Sequence, residues 1–134
     1  MSYAIVYAST TGNTEAMANA MNEAVNAQVF GTADSVDKAA VLGCDVILLG
    51  SPAMGDEVLE DSMEEFFTAI EGSIAGKKIA LFGSYDWGDG QWLRDWEDRV
   101  KTCGATVAAE SKMVHLTPED SDIEDCKNWA KSVQ

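Results

Sequence analysis

Six consecutive residues, Ser9-Thr10-Thr11-Gly12-Asn13-Thr14, carry five hydroxyl or amide side chains around a single glycine. They follow an apolar run, residues 3–8, and precede a helical pattern that starts at Ala16. A strand that ends in such a turn and opens a helix builds an anion site. Free backbone N–H groups at the helix start and side-chain hydroxyls converge on one spot. The run contains no Lys, Arg, Asp or Glu, so any phosphate there is held by neutral donors alone. It fits neither G-x-x-x-x-G-K-[ST] nor G-x-G-x-x-G. Gly83 and Gly88 have the glycine spacing of a P-loop, but Asp89 stands where lysine is needed. Phosphoryl transfer requires cationic neutralisation of developing charge, usually by Lys and Mg²⁺. This loop can hold a phosphate but is poorly equipped to transfer one.

Two further segments mix small, apolar and acidic residues. Ser51-Pro52-Ala53-Met54-Gly55-Asp56-Glu57 joins an apolar tip to a glycine and a carboxylate pair. Ser84-Tyr85-Asp86-Trp87-Gly88-Asp89-Gly90 sets a tryptophan among glycines and acids, off any apolar stripe. An exposed aromatic in a cleft is a stacking platform for a flat ligand. Trp92 and Trp96 instead continue a helical face and belong to the core. The D-x-D-x-D-G pattern of a calcium loop is absent, so no metal is expected. His115, the single histidine, has no evident partner and receives no role.

The elements that must position these loops alternate between apolar runs and amphipathic stripes, the signature of an α/β domain with a parallel sheet. Strands are expected at residues 3–8, 45–50, 78–83 and 105–114, with a weaker one near 28–31 at the sheet edge. Their continuous apolar character suits cover by helices on both faces. Met17, Ala20, Met21, Ala24 and Val25 form one helical stripe. Leu59, Met63, Phe66, Phe67 and Ile70 form a second, and Leu93, Trp96, Val100 and Cys103 a third. Ile123, Cys126, Ala130 and Val133 mark the last helix, and residues 36–42 a short one. Five strands favour the doubly wound order 2-1-3-4-5. Ligands in such a sheet bind beyond the carboxyl ends of the strands at the switch point. The three loops lie there.

The 134 residues read as one domain, 1–134. Formal net charge is −14, from 23 acidic and 9 basic residues, which repels nucleic acid and anionic membranes and steers basic surfaces inward. The acids concentrate at the expected site: Asp56, Glu57, Glu60, Asp61, Glu64 and Glu65 in one stretch, and Asp86, Asp89, Asp95, Glu97 and Asp98 against Arg94 alone in another. Cys44, Cys103 and Cys126 form no C-x-x-C pair and read as free thiols of a reducing compartment. No secretory signal or spanning segment is visible, so a cytoplasmic protein is expected.

Taken together, Ser9-Thr10-Thr11-Gly12-Asn13-Thr14, Ala53-Met54-Gly55-Asp56-Glu57 and Phe82-Gly83-Ser84-Tyr85-Asp86-Trp87-Gly88-Asp89-Gly90 resemble the flavodoxins, most of all the short-chain type of anaerobic bacteria. The resemblance implies a flavodoxin-like fold, FMN as cofactor and low-potential one-electron carriage on its semiquinone/hydroquinone couple. It implies a monomer that shuttles electrons between reductases and oxidoreductases with basic docking surfaces. By position, residues 9–14 would wrap the 5′-phosphate. Met54 and Trp87 would flank the isoalloxazine, with Pro52 and Ala53 beside it. The Gly55-Asp56 peptide would turn its carbonyl toward N5–H, and Glu57 would accept from N3–H. Backbone N–H groups around Asp86 and Trp87, in the Ser84-Tyr85-Asp86-Trp87-Gly88 loop, would reach O2. The family often has glycine where this chain has Asp86, which is less comfortable than glycine if that position needs positive φ. Pro52 replaces a hydroxyl found in some relatives. Uncompensated carboxylates oppose reduction: at an effective ε of about 40 and roughly 10 Å, one charge costs about 0.8 kcal/mol. A receiver-type signalling domain shares the strand order but needs acids after strand one and an Asp after strand three. Those places hold Ala8-Ser9 and Ser51. A small FMN-dependent quinone or flavin reductase is the alternative function, although 134 residues leave little chain for a substrate pocket.

Overall fold

In the chain's computed structural model, residues 2–55 and 57–134 are described. Apolar residues in β1 (Tyr3–Tyr7), β3 (Val46–Gly50) and β4 (Lys78–Tyr85) alternate between two cores with the period of a strand. Ala4, Val6, Ile47, Leu49, Ile79 and Leu81 point to one side. Ile5, Tyr7, Val46, Leu48, Ala80 and Phe82 point to the other. All these strands run parallel, in the order β2-β1-β3-β4-β5, with β2 spanning Val29–Thr32 and β5 spanning Thr106–Val107. This is the doubly wound order expected from the sequence.

Helices cover both faces. On one, α1 (Asn13–Val25) and α5 (Asp120–Ser132) bury Met17, Met21, Cys126 and Ala130. On the other, α2 (Lys38–Leu42), α3 (Asp61–Ile70) and α4 (Gln91–Thr102) bury Val41, Met63, Phe66, Phe67, Leu93 and Trp96, with Cys44 among them. Each such apolar side chain contributes about 1.5–3 kcal/mol on leaving water. Trp92 and Trp96 are buried as their stripe requires. Leu59 is buried just before α3 begins, because Glu60 is the N-cap and accepts from Ser62 N at 3.1 Å.

The fifth strand differs from expectation. Residues 105–114 do not form one strand but two short ones, β5 and β6 (Lys112–His115), and both pair with β4. β5 pairs with Lys78 and Ile79 at the start of β4, and β6 with 82–85 at its end. The long β4 thus carries two edge strands in tandem. The second reaches the loops at the carboxyl end.

Candidate functional site

The first loop leaves β1 with Ala8 N donating to Gly50 O at 2.9 Å. Gly12 adopts φ 90° and caps α1 without a side-chain bond of its own. Ser9 Oγ instead accepts from Gly12 N at 3.1 Å and Glu15 N at 3.3 Å. Ser9 is therefore consumed in shaping the turn. Among the described residues no acceptor meets the backbone N–H groups of Thr10, Thr11, Asn13 or Thr14. Four backbone donors therefore stand open at one helix start, with no cation beside them among the described residues, the arrangement of an anion cradle. The Thr14 hydroxyl does not join that cradle. It is buried and lies 2.9 Å from the buried Ser84 hydroxyl on β4.

The second loop is stapled from beneath. Ala53 N donates to Ser84 O at 3.0 Å, Glu60 N to Ser51 Oγ at 2.9 Å, and the Trp92 indole to Ser51 O at 3.1 Å. A Cβ on Gly83 would overlap Ser51 O, so only glycine lets β4 pass this close. Met54 and Val58 exchange both backbone bonds at 2.9 Å and close a tight excursion. Gly55 and Glu57 within it have φ 48° and 57°. The Asp56 half of the expected peptide turn lies outside the described residues. Glu57 reaches across to the third loop, where Oε1 accepts from Gly90 N at 3.1 Å and Gln91 N at 3.0 Å. It caps α4, whose own N-cap Gly90 has no side chain. Gly88 lies against that carboxylate, with no room for a Cβ.

The third loop leaves β4 beside β6. The Tyr85 ring packs against Trp92 at 5.8 Å and His115 at 4.9 Å. Leu116 N donates to Tyr85 O, and His115 Nε2 meets Asp86 O, both at 2.8 Å. A carbonyl only accepts, so the proton is on Nε2. Asp86 is not among the residues with positive φ, so it stands there without backbone strain. Trp87 is 59% exposed.

Together the loops enclose a cleft of about 290 Å³ lined by Thr10, Thr11, Asn13, Pro52, Ala53, Met54, Ser84, Tyr85, Asp86 and Leu116. Nine of these ten were expected; the remaining one, Leu116, was not. Ser9, Gly12 and Thr14 shape the first loop through their own bonds, and neither they nor Gly55, Glu57, Trp87 and Gly88 belong to the lining. Leu116 and His115 escaped the sequence reading because their approach depends on the break between β5 and β6. Leu116 has φ 61°, an uncommon backbone for leucine that only a structure displays.

The acidic surround is less bare than its composition. Arg99 forms two bonds to Glu64, at 2.8 and 2.9 Å, and also reaches Glu71. That guanidinium holds the Glu64 carboxyl below its ordinary value. Arg94 pairs with Asp89 at 2.9 Å. Glu57 and Glu60 cap helices, and Glu97 accepts from Ser111. Asp86 has neither a cation nor a helix terminus against its carboxylate among the described residues, and it lines the cleft.

A family model described as flavodoxin matches residues 5–129. The chain is 41% identical over 135 residues to a flavodoxin of Clostridium beijerinckii, covering 96% of each. It is 47% identical over 129 residues to one of Megasphaera elsdenii, covering 89% of this chain and 93% of that one. The solution structure of the two-electron reduced Megasphaera elsdenii flavodoxin superposes with a TM-score of 0.86 at 43% identity, covering 98% of this chain and 97% of that.

Proposed function

The chain belongs to the flavodoxin family, and from that premise we propose that it is a low-potential one-electron carrier working on bound FMN. Bound FMN supplies the redox chemistry, taking up and returning electrons one at a time. The observation that carries the reading is the set of unpartnered amides at Thr10, Thr11, Asn13 and Thr14, opening beside a cleft lined by Met54, Tyr85 and Asp86. That donor set suits a phosphate monoester, and the neighbouring apolar and amide groups suit a flat heterocycle.

Thr10, Thr11 and Asn13 hold the phosphate with amides and hydroxyls, and Thr14 adds its amide. Met54 would support one face of the ring and Trp87 the other. The amides of Asp86 and Trp87 meet the pyrimidine oxygen. Glu57 accepts from the pyrimidine N–H with the capacity left over from capping α4. The flavodoxin relatives favour a protein that carries electrons over one that transforms a substrate. The reading is of a monomeric cytoplasmic donor, whose acids suit docking on partners with basic surfaces.

The test is direct. Adding FMN to the flavin-free protein should quench flavin fluorescence at one equivalent. Anaerobic reductive titration should then resolve two one-electron steps. A single two-electron step with steady NAD(P)H turnover would select the reductase reading instead. Unquenched flavin at stoichiometric protein would remove both.

A further inference from the structure

His115, the single histidine, has a partner that matters for the cleft. The Asp86–Trp87 peptide follows the last rung of the β4–β6 ladder, where Tyr85 and His115 are Cα partners. Its carbonyl meets His115 Nε2 at 2.8 Å, and no other donor reaches that oxygen among the described residues. The chain contains no cis peptide there, so the Asp86 C=O and the Trp87 N–H point in opposite directions. Asp86 lines the cleft and His115 does not. The Trp87 N–H has no acceptor among the described residues.

We propose that His115 is a positioning residue: by holding the Asp86 carbonyl on its own side, it aims the Trp87 N–H into the cleft, toward the pyrimidine oxygen of a bound flavin. This inference rests on the flavin-binding reading. Gly88, at φ 90°, follows immediately, and Trp87 is largely exposed, so little else opposes rotation of this peptide. Among the described residues, the imidazole is the one hydrogen-bond partner that holds the Asp86 carbonyl in its present orientation. The Tyr85 ring at 4.9 Å and the Leu116 N–H bond to Tyr85 O fix the imidazole beside the loop. A net hydrogen bond of ordinary strength corresponds to roughly a five-fold change in affinity.

The experiment compares FMN and riboflavin on the flavin-free protein, because both present the same pyrimidine oxygen and only one has a phosphate. His115→Phe keeps an aromatic ring against Tyr85 and removes the donor. His115→Gln returns an N–H at about the same reach. His115→Phe should weaken both flavins by the same factor, about five-fold, and His115→Gln should recover most of it. Amide exchange on the unsubstituted protein adds a measurement that does not depend on a variant folding: riboflavin should newly protect the Trp87 amide. Unchanged affinity in His115→Phe, a loss confined to FMN, no recovery in His115→Gln, or an unprotected Trp87 amide would each overturn the proposal. FMN affinity of the unsubstituted protein separately tests the flavin reading, so the two failures are distinguishable.

Discussion

At the scale of single residues, the cleft is made by close approaches as much as by functional groups. Gly83 is the clearest case, since any side chain there meets the Ser51 carbonyl that also accepts the Trp92 indole. Gly83→Ala should cost at least about 2 kcal/mol in urea unfolding, because neither β4 nor the second loop can yield without losing bonds. Asp86 lines the cleft, and no cation pairs with its carboxylate among the described residues. Asp86→Gly should raise the midpoint of the second reduction step by roughly tens of millivolts at low salt. Potentiometric titration reads this, and an unmoved midpoint would clear Asp86 of influence. Because Asp86 occupies ordinary backbone space, the glycine variant should leave folding nearly unchanged. Residue types drew attention to the first loop, but not to the division of labour within it. That Ser9 braces the turn and Thr14 pairs with Ser84 depends on contacts 3 and 70 residues apart in sequence.

At the scale of elements, each loop is fixed by a neighbour rather than by itself. Helix α4 begins at a glycine and borrows its cap from Glu57, 33 residues earlier. Glu57→Ala should lower the stability of the flavin-free protein by about 1 kcal/mol and unprotect the Gly90 and Gln91 amides to exchange. Glu57→Gln, which keeps an acceptor, should lie between. Arg99 ties α4 to α3 through Glu64, with both side chains partly exposed. The hydrogen bond from Arg99 lowers the Glu64 carboxyl from its ordinary value, so its stabilisation is complete above the ordinary carboxylate range. It disappears as pH falls through the lowered value. Arg99→Met should therefore cost under about 1 kcal/mol at neutral pH, and the cost should fade in acid denaturation series. Strands and helices were legible because apolar periodicity records which face is buried. Cross-element caps and the division of β5 from β6 were not, since a run such as Thr106-Val107-Ala108-Ala109 reads as continuous strand until its partner is known.

At the scale of the whole molecule, the charge of −14 sets how other proteins approach. Several site acids are paired or capping, yet the surface remains strongly anionic. Electron delivery to a basic acceptor should slow as ionic strength rises, as stopped-flow rates across a salt series would report. Insensitivity to salt would argue against electrostatic docking. Each of the two cores, finally, holds one buried cysteine, while Cys103 is only partly buried against the first. Cys44 lies in the core on the α3–α4 side, and Cys126 in the core on the α1–α5 side. Burial raises both thiols, Cys126 to about 11, so neither reacts readily while its side stays closed. Each face of the sheet thus contains its own chemical clock. Timed alkylation read by mass spectrometry can ask whether the two sides come apart in one event or in sequence.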